Sequence, residues 1–180
     1  WIADCQDVDE MLARNSRNDI YDEYGSIVID KLPKNVPYFV AVAPQLPTYK
    51  GDKKTISGYF VNQLDSSKSF TFEGASADVQ GTSSAGYARK NFKIKFKGGF
   101  VINGVQYAVY AIVNEEKSVP TSTFTFKADV ASSEGCNNVE LVRLYCDLCP
   151  YKTPPQLLDP RIRQGIDGFP MLMFQDDGNG

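Results

Sequence analysis

Histidine is missing from all 180 positions of this chain. That removes Ser–His and Cys–His nucleophilic pairs from within it. Without histidine, a zinc site would need all four thiolates, Cys5, Cys136, Cys146 and Cys149. Only Cys146 and Cys149 stand at ligand spacing, in a lone C-x-x-C. The simpler reading is free, mostly buried thiols in a reducing compartment. No apolar run approaches the roughly 20 residues that span a membrane, so no membrane span is expected. The formal net charge of -3 gives no general attraction to nucleic acid. A leader of basic and apolar residues does not follow Trp1, and the last residues, Asp176 to Gly180, have a turn composition. These two features lead to the expectation of a segment from inside a longer polypeptide.

What is present is ordinary for a globular domain: 42% hydrophobic and 23% charged residues. The length suits one domain, or one domain plus an extension, with a sizeable core. A helical and extended linker is expected over residues 1–31 and an α+β domain over 32–180, incomplete at its C-terminus. Asp7 to Arg14 reads as a short helix with Asp7 as cap and Glu10 at the capping-box offset. "GSIVIDKLP" reads as the start of extended structure. "VPYFVAVA" is a nearly continuous apolar run, as in a strand covered on both faces. Pro44 to Lys54 reads as a loop; "ISGYFVN" and "SFTFEGASADVQ" read as strands.

In "KNFKIKFK", Phe92, Ile94 and Phe96 alternate with Lys93, Lys95 and Lys97. That places apolar side chains on one face of a strand and ammonium groups on the other. Asn103-Gly104 marks a hairpin turn, because both residues accept positive φ. "STFTFKAD" reads as another strand, ending at Asp129. Asn137 caps a predicted helix in which Val139, Val142, Tyr145 and Leu148 recur at helical spacing, and Pro150 ends it. Residues 151–168 read as a proline-punctuated connection and "FPMLMF" as a last strand. The expected fold is α+β, a mainly antiparallel sheet with one main helix packed on it.

Three segments carry candidate chemistry. Gly81, with the hydroxyls of Thr82, Ser83 and Ser84, can form a turn whose amides point at an anion. Arg89, Lys90 and Lys93 follow as a source of positive charge. The spacing is not that of a Walker A loop, and the competing reading is a turn before an amphipathic strand. Asp129, at a strand end, suits either a Mg²⁺ ligand or a turn cap. Asp176, Asp177 and Asn179 are calcium-like in type but not in spacing, and read as a hairpin turn.

In order, "LPKNVPYFVAV", "ISGYFV", "ADVQGTSSAGYARKNFKIKF" and "FTFKADVASSEGCNN" before a helix resemble the CotH family of spore coat proteins and atypical kinases. The family signature runs R-G-N-S-S, then K-K-S-Y-K-I-K-L. Gly81, Ser83, Ser84, Lys90, Phe92, Lys93, Ile94 and Lys95 match it. The resemblance covers about Leu32 to Leu148 and implies a CotH kinase-like N-terminal portion. A branch found in bacteriophage virion proteins is closer still, through "TPPQ", "DPRIR" and "IDGFP" at Thr153–Gln156, Asp159–Arg163 and Ile166–Pro170. One departure is Gln80, where the kinase pattern has arginine, a planar cation suited to phosphate. Another is that the kinase members' acidic metal ligands lie beyond the matched stretch.

The resemblance implies a structural or adhesive component of a bacteriophage virion, in the tail, baseplate or fibre, made in the host cytoplasm. Expected partners are other virion subunits, including copies of the same chain, and a host surface. No cofactor is implied in that role. As an atypical kinase the chain would bind ATP and Mg²⁺ through Gly81, Ser83, Ser84, Lys90 and Lys93, with Asp129 as an acidic helper. A carbohydrate-binding module is the third reading, with Tyr107 and Tyr110, or Tyr21 and Tyr24, as aromatic platforms.

Overall fold

Alternation of apolar and polar residues builds most strands in the computed structural model of this chain. The structure describes residues 22–23, 26–96, 100–102, 105–107, 122–128, 137–149, 154–158 and 168–179. The chain divides into two compact units, residues 1–34 with 180, and residues 35–179. In the first, Asp22 and Ser26 close a turn: the Asp22 N–H donates to the Ser26 carbonyl at 2.9 Å and the Ser26 N–H to Asp22 Oδ1 at 2.8 Å. Ile29–Lys31 is a 3-10 turn, where extended chain was expected. Its cause is local: the N–H groups of Lys31 and Leu32 donate to the carbonyls of Val28 and Ile29. The helix expected over Asp7–Arg14 lies outside the described residues.

The second unit is α+β, as the sequence implied, and its main body is an eight-stranded sheet dominated by antiparallel pairs. The strands are β1 (Tyr38–Val42), β2 (Lys54–Val61), β3 (Phe70–Gln80), β4 (Asn91–Lys95), β5 (Phe100–Ile102), β6 (Val105–Tyr107), β7 (Thr123–Phe126) and β8 (Leu172–Asp176). The order is β6-β5-β3-β2-β1-β8. β4 pairs with the C-terminal half of β3 and with β7, while β5 pairs with β3 nearer its start. The sheet therefore forks along β3. β5 and β6 pair with Ile102 opposite Val105, the hairpin that Asn103-Gly104 signalled; those two residues lie outside the described set. Among the described strands, β8 joins as the one parallel neighbour, beside β1.

β3 carries a bulge. On β2 the pairing advances from Ile56 to Gly58, while on β3 it advances from Ala75 back to Phe72. Gly74 takes the left-handed conformation this needs, at φ 67°. The extra residue reverses the phase of the strand. Phe70 and Phe72 point into the core before it, and Ala75 and Ala77 point into the same core after it.

The sheet curls around an aromatic cluster. Phe39 lies on β1 and Phe126 on β7, four strand steps apart through β2, β3 and β4. A flat sheet would separate those backbones by about 19 Å at the usual strand spacing. The two rings instead lie 4.8 Å apart, centre to centre. Phe39 also stacks on Phe72 at 5.2 Å, and Phe72 meets the edge of Phe96 at 4.9 Å. Phe39, Phe60, Ile56, Ile94 and Phe96 are completely enclosed. Tyr38 and Val40, on the opposite face of β1, are buried too, with Tyr59 and Phe174 beside Tyr38. That accounts for the continuous apolar run in the sequence.

Helix α1 spans Asn137–Leu148, and a short helix α2, Pro154–Leu158, forms inside the stretch expected to be connection. The apolar stripe expected to pack α1 is corrected by the structure. Tyr145 and Leu148 are 58% and 71% exposed, while Val142, Cys146 and Cys149 are half-buried. Repeated steps of three residues drift by about 60° each on a helix with 3.6 residues per turn. Four such positions cannot share one face, whereas 142, 146 and 149 can. Cys146 and Cys149 are free thiols. No helix among the described residues is long and apolar enough to cross a membrane.

Candidate functional site: the Gln80–Asn91 turn and its groove

β3 ends at Gln80, and Gly81 turns the chain at φ 116°. A Cβ at residue 81 would collide with Ser84 Oγ, so the turn needs glycine for space as well as conformation. A 3-10 turn, Ser83–Gly86, follows directly and had not been expected. Its amides at Ala85 and Tyr87 donate to the carbonyls of Thr82 and Ser84 at 3.2 and 3.3 Å.

Side chains then lock the turn. Lys90 Nζ donates to the Ala85 carbonyl at 2.9 Å. Asn91 Nδ2 donates to Ser84 Oγ at 3.2 Å, while Asn91 Oδ1 accepts from the Ala128 N–H at 2.8 Å. Asn91 thus ties the turn to the end of β7. Gln80 Oε1 accepts from Lys127 Nζ at 2.8 Å. β7 itself stops at Phe126, short of the expected Asp129, which lies outside the described residues together with Lys97.

A groove of about 430 Å³ opens beside the turn, lined by Lys50, Asp78, Val79, Gln80, Gly81, Thr82 and Lys93. Lys93 sits on β4 directly across from Asp78 on β3. Lys50 arrives from the Pro44–Lys53 loop, which is tied to one groove residue and braced within itself. The Gly51 N–H donates to Asp78 Oδ1 at 2.9 Å. Asp52 Oδ2 accepts from the Thr48 N–H at 3.0 Å and from Thr48 Oγ1 at 3.3 Å, and Lys54 Nζ lies 2.9 Å from Asp52 Oδ1. The Lys54 hydrogen bond, followed by that from Thr48, holds the Asp52 carboxyl below its ordinary value.

Of the residues singled out in the sequence as an anion site, Gly81, Thr82 and Lys93 line this groove. Ser84 and Lys90 are engaged within the turn, and Ser83 is exposed. Lys50, Asp78, Asn91 and Lys127 were missed. Lys50 and Asp78 are 28 residues apart, and no local spacing links them; Asn91 stood inside the quoted motif and marked the strand's start. The tail closes in side-chain turns, with Asp176 Oδ1 accepting from the Gly178 N–H at 2.8 Å and Asp177 Oδ1 from the Asn179 N–H at 3.0 Å. Among the described residues, no group of three acidic or sulfur side chains is placed to hold a metal ion. Tyr110, Tyr21 and Tyr24 lie outside the described residues, as does the side chain of Tyr107.

No protein-family model, curated protein or solved structure matches this chain.

Proposed function

We propose that the chain is a structural or adhesive component of a bacteriophage virion, built on a CotH-like module that carries out no turnover by itself. One observation supports the non-catalytic part. Three polar side chains of the signature segment are engaged within the protein. Lys90 holds the Ala85 carbonyl, Ser84 holds Asn91, and Gln80, standing where the kinase pattern has arginine, is held by Lys127. Phosphoryl transfer works through positioning and neutralisation of phosphate charge, and of the two lysines matched to phosphate contact Lys90 is consumed by a carbonyl, which leaves Lys93. The virion assignment rests on the sequence resemblance.

Two measurements test the reading. Mass spectrometry of purified particles is expected to find this polypeptide at fixed stoichiometry; its absence from particles refutes the virion role. A thermal-shift titration of the full chain with Mg·ATP is expected to give no saturable change. A specific ligand at 100 times its Kd stabilises by about 2.7 kcal/mol, so a shift of that size would restore the atypical-kinase alternative.

A further inference from the structure

The cations near the turn and its neighbouring loop differ in how they are engaged. Lys54, Lys90 and Lys127 each have a carboxylate or oxygen partner, and Arg89, in the turn itself, is exposed outside the groove lining. Lys50 and Lys93, the two that line the groove, have no hydrogen-bond or ion-pair partner among the described residues. Both project from rigid supports. Lys93 lies in the middle of β4, paired to β3 on one side and β7 on the other. Lys50 is held next to Gly51, whose amide is fixed on Asp78. Two lysines thus line one groove and are left uncommitted there.

The rest of the lining says what kind of anion suits it. Asp78 spends one carboxylate oxygen on Gly51 and keeps acceptor capacity on the other. Gln80 has its oxygen occupied by Lys127, which leaves its amide N–H groups to donate. Thr82 makes no side-chain cap to its own turn. The groove therefore offers two cations, one carboxylate, one amide donor and one hydroxyl. Its formal charge is two positive against one negative. A phosphomonoester carries about -1.5 to -2 charges at neutral pH and would sit beside the Asp78 carboxylate. A carboxylate carries one charge, and hydroxyl groups on the same molecule can donate to Asp78. Tyr49, which precedes Lys50 but does not itself line the groove, exposes 65% of its surface, an aromatic face of the kind that sugar rings stack on. The volume, about 430 Å³, falls in the range of small-ligand sites, roughly 300–1,000 Å³.

We propose that the groove between the Pro44–Lys53 loop and the β3–β4 turn binds an acidic saccharide, with the sugar carboxylate on Lys50 and Lys93 and a sugar hydroxyl on Asp78. This rests on the adhesive reading above, and supplies the ligand class that such a surface would recognise. It differs from the third sequence reading in using the lysine pair rather than the Tyr107/Tyr110 or Tyr21/Tyr24 pairs.

The test is a calorimetric titration of the full chain at low salt with an oligosaccharide of alternating uronic acid and neutral sugar. The neutral oligosaccharide and inorganic phosphate run as parallel probes. Saturable binding of the acidic oligosaccharide is expected, at least tenfold tighter than either comparator. Lys50→Ala and Lys93→Ala are each expected to weaken it at least fivefold. Both positions are solvent-facing, and circular dichroism of the variants checks that they fold. Asp78→Asn keeps an acceptor for Gly51 and is expected to shift preference toward phosphate. The proposal is overturned if the acidic oligosaccharide does not bind, if phosphate binds as tightly, or if both lysine variants bind as the parent does. Incorporation of the same variants into particles is scored separately. Variants that are incorporated but unaltered in saccharide binding refute the groove alone. Absence of the parent chain from particles refutes the virion role and leaves the titration to stand or fall by itself.

Discussion

Gly81→Ala tests how the signature turn is built, and its cost can be worked from the structure. At φ 116° the new side chain meets left-handed strain, about 1–2 kcal/mol for a residue with a Cβ. The new Cβ also collides with Ser84 Oγ. Ser84 can relieve the collision by rotating its hydroxyl away, since its own Cβ would remain at an ordinary 3.5 Å. Rotation breaks the hydrogen bond from Asn91, whose net contribution is about 1 kcal/mol. Gly81→Ala should therefore cost about 2–3 kcal/mol, a large share of the 5–15 kcal/mol typical of a domain. Ser84→Ala alone should cost about 1 kcal/mol, the same hydrogen bond. In the double variant that bond is lost only once. The double variant should thus be more stable than the sum of the singles by about 1 kcal/mol. Equilibrium unfolding in urea, monitored by circular dichroism at constant m-value, measures all three. The reasoning fails if the two changes add within about 0.3–0.5 kcal/mol, the usual margin for independent sites, or if Gly81→Ala is neutral.

The aromatic cluster and the loop give two further expectations. Phe39→Ala should cost about 3–5 kcal/mol in a urea titration, because the ring is wholly enclosed and touches Phe72, Phe96 and Phe126; a loss under about 1 kcal/mol would mean that the curled sheet does not close on it. Asp52 has a carboxyl held below its ordinary value of 3.8 by Lys54 and Thr48. A depressed folded value means that its contribution is present above the unfolded value and fades as pH falls through the folded one. Hydrogen exchange at the Thr48 amide should therefore accelerate as pH drops below about 4, beyond the intrinsic trend, and Asp52→Asn should remove that dependence. An unchanged pH profile in the variant would show that Asp52 does not hold the loop.

Local pattern made several elements legible. Phe92, Ile94 and Phe96 alternate with lysines; β4 buries Ile94 while exposing Lys93 and Lys95, and Phe96, just after it, is buried too. A strand's two-residue period needs no tertiary partner to be read. The same holds for the Asn103-Gly104 hairpin and for the apolar run of β1. Gly81 was legible as a turn glycine. The sequence also held the residue types of the turn, but not which of them face one another. Lys90 and Lys93 looked alike as nearby cations; one is consumed by a backbone carbonyl and the other is free in the groove.

What the residues determined by themselves is the set of strands, their inward faces away from the bulge, and the helix after Asn137, because each follows from spacing along the chain. Only the tertiary structure decided the rest. The bulge at Gly74 reverses the phase of β3 midway, and it is visible only against the register of β2. The parallel seat of β8 beside β1 joins residues more than 130 positions apart, which no local period encodes. The curl that sets Phe126 on Phe39 comes from all the strands twisting around one aromatic core. The groove joins a loop lysine and a strand lysine in one lining, with the Gly51–Asp78 hydrogen bond tying the loop to β3.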